Sequence, residues 1–104
     1  MVLDRAATET GVQATVTRVN GSYPVAGLRY KAVLLEEGGG RVIQEGNLTD
    51  LSPVTPTLSF HRVDASAEFL QPGDHFLMRL EGDVHLILLD GGGTPLGSTL
   101  GCGV

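Results

Sequence analysis

From Gly11 onward, apolar and polar residues alternate in short runs, and each run stops at glycine, proline or asparagine. No segment sustains the 3.6-residue periodicity of an amphipathic helix, so the pattern predicts an all-β chain. Seven short strands are expected, near residues 12–20, 27–36, 41–46, 57–62, 75–80, 84–90 and 95–101. In the first, Val12, Ala14 and Val16 alternate with Gln13, Thr15 and Thr17, which assigns one buried and one wet face. Leu28, Tyr30, Ala32 and Leu34 point inward by the same rule, with Arg29 and Lys31 outward, and Leu58 and Phe60 follow suit. Pro53 and Pro56 interrupt LSPVTPT, which is therefore a crossover or a sheet edge rather than a central strand.

The fold class that follows is an antiparallel, immunoglobulin-like β-sandwich occupying residues 11–104, with residues 1–10 as a lead-in, a helical stub or the remnant of a stalk. Two stretches rhyme: LLEEGGGRVI (34–43) and LLDGGGTPLG (88–97) both pass from Leu-Leu through acid to three glycines and back. A duplicated half-domain would produce this, but so would shared turn chemistry, which is the cheaper explanation. A hairpin is expected through Glu81, Gly82 and Asp83. A three-residue loop there sets Leu80 against Val84, Met78 against Leu86 and Phe76 against Leu88, an unbroken apolar face. A loop of two residues would turn Asp83 and His85 into the core.

Composition narrows the function. The 104 residues make one domain with a modest core, 41% hydrophobic and 18% charged. A formal charge of −5, with only seven Lys and Arg, argues against nucleic acid as a partner. No run approaches the ~20 apolar residues that cross a bilayer, and no secretory-leader pattern opens the chain. Cys102 is the single cysteine, in a Gly-Cys-Gly tail, and reads as a packing residue rather than a nucleophile.

Candidate chemistry is sparse. The ligand-type residues are His61, His75, His85 and Cys102. In the expected hairpin His75 and His85 lie roughly 13 Å apart at ~3.3 Å per residue, too far to share a zinc ion, and His85 faces Arg79. No metal or cofactor site is therefore assigned. Asp64, Ser66 and Glu68 place oxygens at alternate positions, as a calcium loop does, but the sixth position is Phe69 where such a loop needs glycine. No nucleophile elbow, phosphate loop or zinc-protease motif occurs, and the expectation is a protein that is not an enzyme. Asn20 and Asn47 stand in glycosylation sequons, though Asn20-Gly21 is equally a turn dipeptide. The outer face of the expected hairpin carries Leu77, Ile87 and Leu89 beside His75 and Arg79. Aliphatics on a face that should meet water call for cover, from this chain or from a partner, and these five residues form the expected contact surface.

The segments VDASAEFLQPGDHF and VHLILLDGGGTPLGS resemble the C-terminal region of archaeal type IV pilin-like and archaellum-type surface filament proteins, across about residues 57–101. The Pro-Gly pair within it also suits a type II turn. The likeness implies a non-enzymatic, extracellular β-sandwich head that contacts other filament or surface-layer subunits. Its membrane attachment would run through an N-terminal apolar helix, and none precedes Val2 in this sequence. A ligand- or carbohydrate-binding module of a secreted protein is the other reading. That module would want exposed aromatics, and Tyr23 is the one expected to be free.

Overall fold

The computed structural model describes residues 1–54, 57–80 and 82–101. Eight strands form two four-stranded antiparallel sheets packed as a sandwich. In chain order they are β1 (Val2–Ala7), β2 (Val12–Arg18), β3 (Arg29–Glu36), β4 (Gly39–Asn47), β5 (Leu58–His61), β6 (His75–Met78), β7 (Val84–Leu89) and β8 (Pro95–Ser98). One sheet runs β1-β2-β6-β5 and the other β4-β3-β7-β8. This is the immunoglobulin order, with one strand added beside β3 to the seven of the constant type.

All seven expected strands are present, most of them trimmed by a residue or more at their ends. The eighth corrects the expectation for residues 1–10. Val2–Ala7 is an edge strand paired with β2, opposing Leu3 to Val16 and Ala7 to Val12. Leu3 is 7% exposed and joins the core. Only Val2 and Leu3 are large and apolar here, so pairing to β2, rather than any local pattern, makes the strand.

The expected hairpin is also corrected. β6 and β7 lie in different sheets, with β6 between β2 and β5 and β7 between β3 and β8. Their buried faces are as anticipated: Phe76, Met78, Val84, Leu86 and Leu88 are each at most 1% exposed. They belong to opposing layers, however, and are not ladder neighbours. Period-2 alternation fixes which side of a strand is buried, and it is identical for a hairpin and for an arch between layers. Val12, Ala14, Val16, Leu58, Leu28, Tyr30 and Ala32 join the interior, with Val25, Leu48 and Leu70 from the connections, and the Phe60 and Phe76 rings stack at 4.7 Å.

Pro53 marks the crossover as expected, in the segment that carries the chain from β4 to β5 in the other sheet, and Pro56 lies outside the described residues. The glycine-rich stretches reverse differently. β3 and β4 join tightly, Glu36 opposing Gly39, with Gly38 at φ +96. Between β7 and β8 the Asp90 side chain organises a longer loop by accepting from the backbone N–H of Gly92 and of Thr94, each at 2.9 Å. The turn at Gln71, Pro72, Gly73 and Asp74 is of type II. The Asp74 N–H donates to the Gln71 carbonyl at 3.1 Å and Gly73 has φ +99. Asp74 is 1% exposed, and its carboxylate accepts the Gln71 N–H at 3.0 Å, which closes the turn from both sides.

Candidate functional site

The five expected contact residues do not form one surface. His75 and Leu77 project from the outer face of the β1-β2-β6-β5 sheet, and the exposed Arg79 follows them. Ile87 and Leu89 project from the outer face of the other sheet. The division follows from β6 and β7 belonging to different layers. Leu89 is only 5% exposed, while Leu77 and Ile87 are half-buried. Leu77 lies between Gln13 and Ser59, Ile87 between Lys31 and Ser98, and Leu89 between Arg29 and Pro95. Of these neighbours Gln13, Lys31 and Arg29 have long stems, which can shield aliphatic groups while keeping their polar heads in water.

The histidines fall into two unexpected groupings. His61 and His75 oppose each other on β5 and β6, and their rings stack at 5.3 Å with 8° between planes. The His61 Nε2 lies 3.0 Å from the Ser59 hydroxyl, and the His75 ring donates from Nδ1 to the Gly73 carbonyl at 3.3 Å. His85 does not face Arg79; it lies opposite Val33. Its Nε2 is 2.8 Å from Asp83 Oδ1 and its Nδ1 is 3.0 Å from Thr99 Oγ1. The same hydroxyl oxygen accepts the Leu86 N–H at 2.9 Å, and Arg5 approaches Asp83 Oδ1 at 3.4 Å. Among the described residues no three His, Cys, Asp or Glu side chains converge as a metal site. Cys102 lies outside the described residues.

The third region lies at the end of the sandwich where 19–28, 62–74 and 90–94 connect the strands. Backbone pairing braces it: Val25 N–H donates to Glu68 O at 3.0 Å, Leu70 N–H donates to Tyr23 O at 2.9 Å, and Pro24 bridges Phe69. Arg62 fastens the segment from the other side. Its guanidinium donates to Phe69 O at 3.0 Å and lies 5.9 Å from the Phe60 ring centroid. Between these segments and the 3₁₀ turn Leu48–Asp50 runs an open groove lined by Pro24, Ala26, Thr49, Arg62, Ala67 and Phe69.

Within that loop the suspected calcium ligands are otherwise employed. Asp64 Oδ1 accepts from the Ser66 hydroxyl at 2.7 Å and from the Ser66 N–H at 3.0 Å. The geometry is an Asx turn, in which Ser66 donates to Asp64 rather than offering an oxygen outward. These two bonds, aided by the Arg62 charge, hold the Asp64 carboxyl below the usual aspartate range. The free aromatic is Phe69, 43% exposed, whereas Tyr23 is half-buried and packs against the core. Val63, 76% exposed, lies on the same loop. Alternation places strand residues well, but this segment has no strand period to read. Asn20 and Asn47 are both exposed, the first in the β2–β3 connection between layers and the second at the end of β4. No family model, curated protein or solved structure matches the chain.

Proposed function

We propose that this chain is the non-enzymatic β-sandwich head of a pilin-like surface filament protein, working outside the cell through contacts with neighbouring protein subunits. The observation that carries the reading is the braced loop 62–74, which holds Val63 and Phe69 toward solvent, 76% and 43% exposed. Large apolar groups fixed in water by backbone pairing are unfavourable for an isolated molecule and gain when another protein covers them. The likeness of residues 57–101 to pilin-like proteins and the immunoglobulin order of strands support the same reading.

The test is a Val63→Asp, Phe69→Asp double variant in the full-length protein. Both side chains stand off the core, so the melting curve of the head should be little changed while filament assembly is lost. Normal filaments from a folded double variant would overturn the reading. Leu77→Ser and Ile87→Ser, made singly because they lie on opposite outer faces, report whether either face also joins the contact.

A further inference from the structure

Asp83, His85 and Thr99 form a hydrogen-bonded relay that a contact module has no need of. A carboxylate can only accept, so the 2.8 Å contact from His85 Nε2 to Asp83 Oδ1 requires the ring proton on Nε2. In the neutral ring Nδ1 is then a bare acceptor, and the Thr99 hydroxyl 3.0 Å away must donate to it. The Leu86 N–H, at 2.9 Å, occupies a lone pair of that same oxygen and fixes the rotamer. A nucleophile aimed at a base, and the base oriented by a third group, is the arrangement that activates a hydroxyl.

The relay is firmly held. His85 is 12% exposed, and Arg5 approaches the same Asp83 oxygen at 3.4 Å while its Nε donates to Val84 O at 2.7 Å. Thr99 is half-buried just past the end of β8, beside Ser98, which lines an open cleft against Met1 and Leu3; Thr99 itself is not among the residues lining that cleft.

We propose that Thr99 is a self-acylating hydroxyl, taking an acyl group from an activated ester or thioester with His85 as its base. In the step the Thr99 oxygen bonds to the carbonyl carbon of the donor and its proton passes to His85 Nδ1. The bond from that carbon to the leaving oxygen or sulfur breaks, the leaving group departs with the electron pair, and the imidazolium returns the proton to it. The products are an ester on Thr99 and a free alcohol, phenol or thiol. Modification is stoichiometric, so it adds to the contact function proposed above and does not depend on it. Asp83 acts as a positioning residue that selects the tautomer.

The experiment incubates the intact protein with 4-nitrophenyl acetate and maps acetylated peptides by mass spectrometry. Lys31, the one lysine in the sequence, serves as an internal reference for unassisted labelling. Thr99 should gain one acetyl group. His85→Gln should slow that gain by roughly 10²-fold, the scale of general-base assistance, with Lys31 labelling unchanged. Asp83→Asn, at a position 55% exposed and tolerant of change, should slow labelling and move the midpoint of its pH–rate profile. An unlabelled Thr99 in the folded protein, or equal Thr99 rates with and without His85, would overturn the proposal. So would an Asp83→Asn profile identical to that of the parent, which keeps the test decisive even if His85→Gln does not fold.

Discussion

Replacing Gly11 by alanine tests the feature of the fold that local pattern left open, the placement of β6 beside β2. A Cβ built at Gly11 would lie 2.0 Å from the Met78 carbonyl oxygen and 3.0 Å from the Arg79 Cα. Both are backbone atoms, so no side chain can swing away. Restoring the 3.0 Å that real Cβ contacts respect requires the strands to part by about 1 Å, beside the pair Val12 and Met78. Overpacking of this kind costs roughly 1–3 kcal/mol, and a ladder hydrogen bond stretched out of range forfeits about 1 kcal/mol more. Against this stands a gain of roughly 0.4–1 kcal/mol, because alanine restricts the unfolded chain; Gly11 does not have positive φ, so that gain carries no backbone strain. The net expectation is destabilisation by about 1–3.6 kcal/mol. At about 4–8 °C per kcal/mol for a domain of this size, the melting temperature should fall by roughly 4–29 °C. Gly27→Ala is the control, because nothing lies within 4 Å of its Cβ and its φ is not positive. That variant should melt at or slightly above the parent. The assay is urea denaturation with thermal melts of both variants, and the sign decides. A Gly11→Ala protein as stable as the parent would mean that β2 and β6 do not run side by side at this point.

Two other outcomes follow from the geometry. Arg5 points inward from the β1 edge and donates to Val84 O at 2.7 Å, so Arg5→Ala should cost about 1–2 kcal/mol after allowance for its partial exposure. It also removes an inward charge of the kind that keeps an edge strand from pairing with another chain, and sedimentation velocity should show added self-association; a monomer of unchanged stability would refute both expectations. The Asp64 carboxyl is held low by the two bonds from Ser66, so its native state favours the ionised form. Its contribution to the Asx turn is therefore complete above the unfolded value of about 3.9 and disappears as pH falls through the lower native one. Carboxyl chemical shifts should place the Asp64 midpoint below ~3.9, and Ser66→Ala should raise it; no change on that substitution would remove the assigned cause.

Much of the fold was legible along the chain because strands advertise their buried faces. Val12, Ala14 and Val16, or Leu86 and Leu88, needed no neighbour to be assigned inward. The Pro72-Gly73 turn was equally plain, since only glycine sits comfortably at the φ of +99 found there. The candidate sites were less legible. His61 and His75, or His85 and Thr99, are 14 residues apart, and no local period connects them. Asp64, Ser66 and Glu68 were visible as oxygens, but the direction of the Ser66 hydrogen bonds was not.

The sequence by itself determined an all-β chain, the inward face of five of the strands and the places where the chain reverses. These depend on side-chain alternation and on backbone freedom, both local properties. Only the tertiary structure decided which strands are neighbours, that Val2–Ala7 is an eighth strand, and that Leu77 and Ile87 face opposite ways. An alternating strand buries the same residues whether it turns back in its own sheet or crosses to the facing one. The choice rests on how the whole set of strands closes around a shared interior.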